Sequence, residues 1–122
     1  MLRHAPLGLL LATLLGACGD DDGSSSDAAT LDVVAVDTVF DAESYSVSTG
    51  TVEITLTQDG LLPHSLLIED ADGGDLGIRL FVTTAEVEDA GEIELSAGTY
   101  VLWCDVPGHR QLGMEATLTV EP

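Results

Sequence analysis

Cys104, His109 and Met114 share one short segment, Cys-Asp-Val-Pro-Gly-His-Arg-Gln-Leu-Gly-Met, with four residues between each of them and the next. A second histidine, His64, lies well upstream. A thiolate, two imidazoles and a thioether are seldom needed together. Two His and one Cys in a near-trigonal plane, with a weak and long axial Met, are the donors of a mononuclear blue-copper site that moves electrons. Zinc also accepts two imidazoles and a thiolate, but it favours a fourth strong donor and tetrahedral closure, which a thioether serves poorly. Each residue alone has an ordinary reading as a buried cysteine, a core methionine or a surface histidine. Their order in one loop, with a Pro-Gly turn among them, favours copper.

Such donors must be held by something stiff, and the chain around them reads as short strands. Leu31–Val36 and Tyr45–Ser48 open the series. Thr51–Thr57 alternates, with Val52, Ile54 and Leu56 on one face. After Gln58-Asp59-Gly60 turns the chain, His64–Glu69 forms the next strand. Residues 70–90 are rich in Asp and Gly and carry a short strand near Ile78–Val82 with a loop beyond it. Ile93 and Leu95 alternate with Glu92 and Glu94, and Thr99–Cys104 is a strong β run. Its residues Tyr100, Leu102 and Cys104 share one face, with Val101 and Trp103 on the other. Met114–Glu121 closes the chain. No convincing helix is present, so the fold class expected is all-β, a Greek-key antiparallel β-sandwich.

In this frame Cys104 ends one strand and Met114 starts the next. The loop between them folds back over one end of the sandwich. Pro107-Gly108 turns His109 toward Cys104, and Gly113 allows a close backbone approach before Met114. His64 comes from a different strand, stiffened by Pro63. A site built this way keeps one geometry in both oxidation states, which lowers the rearrangement that accompanies electron transfer.

The Cys104-x4-His109-x4-Met114 loop, preceded by Gly98-Thr99-Tyr100, resembles the cupredoxins. In loop length it is most similar to the rusticyanin and sulfocyanin type. The likeness in strand order covers residues 31–122, although its specific motifs are confined to His64-Ser65 and residues 98–114. It implies one type 1 copper ion bound by the Cys104 thiolate, by the His64 and His109 imidazoles, and axially by Met114. It also implies that the His109 edge is the electron port. Many cupredoxins carry Asn after the upstream histidine, whereas this chain has Ser65, as rusticyanin-like members do. Hydrogen bonds to the sulfur tune such a centre, so the change hints at a high potential.

The start of the chain is not part of that domain. Residues 1–17 read as a secretion leader, with Arg3 and His4 before an apolar run from Leu7 to Leu15 that is too short to span a bilayer as a helix. Leu15-Gly16-Ala17-Cys18 resembles a bacterial lipobox, in which the cysteine is lipidated; the alternative is an ordinary leader cut nearby. Residues 18–30 are a lipidated Cys18 and a flexible acidic and serine-rich tether. Cys104 is then the one thiol of the domain, and no disulfide is expected.

All twenty-two acidic residues follow the leader, and there is no lysine. Without Arg3, only Arg79 and Arg110 oppose them, a formal side-chain charge of −20. Such a field excludes nucleic acid and anionic lipid as partners and steers basic proteins toward it. Adaptation to salty surroundings is the competing explanation, and the sequence leaves both open.

The function expected is single-electron shuttling between extracytoplasmic redox partners, a basic cytochrome or an oxidase among them, by a monomer tethered to the membrane through Cys18 alone. It is not an enzyme, because four ligands leave copper no open position. Leu61, Leu62, Pro63, Pro107 and Leu112 gather around the ligands in sequence, and form an apolar docking patch about His109 as well as a wall against water. Tyr100 and Trp103 are structural, and Arg110 either pairs with a carboxylate or orients a partner. The rival readings are a copper store or chaperone, and a metal-free cupredoxin-like binding module.

Overall fold

Apolar and polar residues alternate along most of the chain, and the alternation builds nine strands. In the computed structural model, which describes residues 28–122, these are β1 (Ala29–Val36), β2 (Val39–Phe40), β3 (Ser44–Ser48), β4 (Gly50–Gln58), β5 (His64–Asp70), β6 (Asp75–Val82), β7 (Glu88–Leu95), β8 (Gly98–Trp103) and β9 (Glu115–Glu121). The expected leader, Cys18 and the first part of the tether lie outside the described residues. One turn of 3-10 helix, Arg110–Leu112, precedes β9. Among the described residues no helix is long and apolar enough to cross a membrane.

The strands form two sheets, ordered β2-β1-β4-β7 and β3-β9-β8-β5-β6. Leu31, Val33, Ala35, Val52, Ile54 and Leu56 of the first sheet pack against Leu66, Ile68, Leu80, Leu102, Leu118 and Val120 of the second. Each such Val, Leu or Ile side chain contributes about 1.5–3 kcal/mol when withdrawn from water. The fold is the expected all-β sandwich.

Its sheets are not purely antiparallel. β1 runs parallel to β4, with Leu31 opposite Ile54, and β3 runs parallel to β9, with Tyr45 opposite Leu118. After β2 the chain crosses to the second sheet as β3 and returns as β4, and a strand that returns by such a crossover can lie parallel to its neighbour. Alternation determines which face of a strand is buried and is silent on the direction of the strand beside it.

Residues 70–90 also hold more strand than their composition suggests. β6 begins at Asp75 and pairs with β5 from Glu69–Asp75 to His64–Val82, with an irregularity between Leu67 and Glu69. β7 begins at Glu88 and lies at a sheet edge beside β4. Half-buried Leu76 and Ile78 and buried Leu80 and Val82 hold β6 to the core, while its exposed face carries Asp75, Arg79 and Phe81.

Candidate metal centre

Pairing in the second sheet decides where the donors meet. β5 runs antiparallel to β8 with Leu67 opposite Trp103, and β8 pairs with β9 through Trp103 and Glu115. The start of β5, the end of β8 and the start of β9 therefore share one end of the sandwich. His64, Ser65, Leu66, Leu67 and Ile68 are all buried, because both faces of β5 are covered there.

The ligand loop closes on itself through backbone bonds. The Cys104 N–H donates to the Met114 carbonyl at 3.2 Å, and the Met114 N–H donates to the His109 carbonyl at 3.0 Å. The His109 N–H donates to Val106 O at 3.0 Å, which makes the turn that Pro107-Gly108 leads one to expect. Gly113 has a role different from the expected close approach. A Cβ there would meet nothing within 4 Å, but its φ of +108° is one that a side chain disfavours. It caps the short helix by donating to Arg110 O at 3.0 Å and turns the chain into Met114.

His64, Cys104 and His109 bring one donor atom each to within 4.8 Å of one another, and all three are buried. Cys104 Sγ lies 3.7 Å from His109 Nδ1, so that nitrogen faces the sulfur. The His64 and His109 rings are 5.1 Å apart and tilted by 51°. Met114 is fully buried with them.

Neither ring nitrogen of His64 has a hydrogen-bond partner, although both are buried. An unpaired buried polar atom costs about 1–3 kcal/mol, a cost that a bound cation removes. Burial, and next the neighbouring His109, hold the His64 pKa below its ordinary value, with Asp37 opposing. The imidazole is thus kept in the neutral form that binds metal. His64, Cys104, His109 and Met114 form the ligand set of a type 1 copper centre.

The surroundings of the sulfur include residues that sequence reasoning missed. The Ser65 N–H points at Cys104 Sγ at 3.4 Å, and Ser65 Oγ lies 3.6 Å from it. Ser65 Oγ is also 2.6 Å from Asp105 Oδ1 and accepts the Asp105 N–H at 2.8 Å. Arg79 grips the same carboxylate with Nε at 2.9 Å and Nη2 at 2.8 Å. That bond, more than any other, holds the Asp105 pKa below the usual carboxylate value. Asp105 was legible only as the residue after the cysteine. Arg79 was not legible, because it arrives through the pairing of β6 with β5.

Arg110 pairs with carboxylates, one of its two expected roles. It reaches Glu69 at 2.6 Å and Glu115 at 2.5 Å, with its guanidinium 4.5 Å over the Trp103 ring. Trp103 thus lies on the outer face of β8, as its place in the strand predicts. Tyr100 donates to Ser96 O at 2.7 Å and packs against the core. Leu61, Leu62 and Leu112 are 83, 40 and 65 % exposed, while His109 itself is 8 % exposed. Pro63 and Pro107 are exposed beside them.

Solved structures with a similar fold include auracyanin B, with 22 % identity over 82 % of this chain and 94 % of that one and a TM-score of 0.64. Auracyanin A, a "blue" copper protein from Chloroflexus aurantiacus, shares 20 % identity over 75 % of this chain and 98 % of its own, with a TM-score of 0.65. The chain folds as a cupredoxin. A further cupredoxin, an azurin from Methylomonas sp. strain J, shares 16 % identity over 76 and 98 % of the two chains at a TM-score of 0.60. No protein-family model and no curated protein matches the sequence. The narrower likeness of this chain to the rusticyanin type rests on loop length and Ser65.

Proposed function

We propose that this protein is a type 1 copper electron carrier working outside the cytoplasm, held to a membrane by a lipid on Cys18. The observation that supports it is the convergence of three buried donors, from β5 and the ligand loop, within 4.8 Å, with Met114 on the same loop. Copper supplies a one-electron couple there. The chain's own part is to hold the donors in one arrangement, keep water away, and leave only a small part of His109 at the surface. Four donors leave no position for a substrate, so the reading is a carrier and not an enzyme. The buried site also disfavours a copper store or chaperone, whose metal must exchange.

The copper-loaded protein is expected to show an intense blue visible band, and Cys104→Ser to abolish it. Met114→Leu is expected to keep the colour and change the potential. A band that survives loss of the thiolate overturns the ligand assignment.

Partners dock at the apolar patch of Leu61, Leu62, Pro63, Pro107 and Leu112 around the His109 edge. Among the described residues both arginines are already paired with carboxylates. The remaining acidic groups favour a redox partner with a basic surface, such as a cytochrome. The lipid anchor is checked by labelled fatty-acid incorporation, which Cys18→Ala should eliminate together with membrane association.

A further inference from the structure

The Ser65 hydroxyl lies between two acceptors, Cys104 Sγ at 3.6 Å and Asp105 Oδ1 at 2.6 Å. It has one proton to give. A distance of 2.6 Å belongs to a charge-assisted O–H···O⁻ bond, about twice as strong as a neutral one. Oγ also accepts the Asp105 N–H at 2.8 Å. Its proton and an accepting lone pair are therefore both committed to Asp105.

The carboxylate is in turn fixed by two Arg79 bonds of 2.9 and 2.8 Å, a bidentate geometry that fixes direction as well as charge. Arg79 reaches it from the exposed face of β6, at the register position opposite Leu67. The sulfur is left with one donor from Ser65, the backbone N–H at 3.4 Å. A hydrogen bond to a copper thiolate withdraws charge from sulfur, weakens its donation to the oxidised metal and raises the potential.

We propose that Asp105, oriented by Arg79, is a positioning residue that takes the Ser65 hydroxyl proton away from Cys104 Sγ and so lowers the potential of the centre. The proposal rests on the copper reading above. It opposes the high potential that Ser65 by itself suggests, because the serine's second donor is spent elsewhere. Arg79 and Asp105 are both partly exposed, so their ion pair adds little to folding stability and serves chiefly to orient the carboxylate.

The test is a double-mutant cycle on the copper-loaded protein, read by redox titration and by the visible band. Asp105→Ala frees the hydroxyl to turn to sulfur, so the potential rises and the band moves to shorter wavelength. Loss of a nearby negative charge also raises the potential, and two comparisons separate the effects. In a Ser65→Ala background the Asp105→Ala shift should shrink and the band should stay in place. In Arg79→Ala with Asp105→Ala, where the net charge is unchanged, the rise and the band shift should persist. Equal shifts with and without the Ser65 hydroxyl overturn the proposal.

The metal-free protein supplies a readout without copper. Urea midpoints for Ser65→Ala, Asp105→Ala and the pair should be non-additive, and additivity overturns the contact itself. A wild-type protein that loads copper without a blue band overturns the copper reading, and this proposal with it, before any variant is compared.

Discussion

At the scale of single residues, His64 shows how function and stability are traded. Its two unpaired ring nitrogens sit in a fully buried position, an arrangement of no benefit to the metal-free fold. Burial lowers its pKa in the folded state, so over the titration range the unfolded chain binds more protons there. Stability from this group is therefore complete above the ordinary histidine value of about 6.5 and is lost as pH falls toward the lowered folded value. Urea midpoints of the metal-free protein should fall as pH drops from 7 to 5, and His64→Gln should flatten that slope. An unchanged slope in the variant would assign the pH dependence to other groups. Copper binding should raise the midpoints at pH 7, because a ligand that binds only the folded state stabilises it by mass action.

At the scale of elements, the ligand loop is rigid because its ends are tied to each other and its middle to two strands. Backbone bonds join Cys104 to Met114 and Met114 to His109. Arg110 anchors the short helix to β5 through Glu69 and to β9 through Glu115. Gly113 is a conformationally demanding link, with φ at +108°. Gly113→Ala should cost about 1–2 kcal/mol through backbone strain alone, since open space surrounds the new methyl. Urea denaturation measures the cost. A shift of the copper potential in the same variant would show that strain in this turn reaches Met114. Gly108→Ala, at φ +85° with equally open surroundings, is the matched control on the other side of His109.

At the scale of the whole molecule, charge is the dominant property. The described residues carry two arginines, and each is tied to carboxylates beside the ligand loop. The rest of the surface is left to acid. Glu53 lies opposite Glu92 on the paired strands β4 and β7, a like-charge pairing that costs stability at low salt. Added salt should therefore raise the urea midpoint of the protein, as screening relieves this repulsion. Electron transfer to a basic cytochrome should slow over the same salt range, where the Debye length falls to about 10 Å at 0.1 M. A rate indifferent to salt would favour adaptation to a saline habitat over docking as the purpose of the charge.

How much of this was legible follows from what each signal encodes. The copper ligands were readable because three of them are local, Cys104, His109 and Met114 being spaced along one loop, and donor chemistry leaves few alternatives. The buried faces of β4 and β8 were readable because period-two alternation is a local consequence of burial. Strand direction was not, so the parallel β1–β4 and β3–β9 pairs were missed. The ends of β6 and β7 were hidden by acidic residues on their exposed faces. The sequence by itself determined the donors, the β class and the sign of the surface field, all of which are set by residue types and short spacings. Only the tertiary structure decided what surrounds the sulfur. Arg79 reaches Asp105 because β6 pairs with β5, and Ser65 meets both Asp105 and Cys104 because β5 pairs with β8. Contacts between strands distant in sequence depend on register, and register comes from the packing of the whole sandwich.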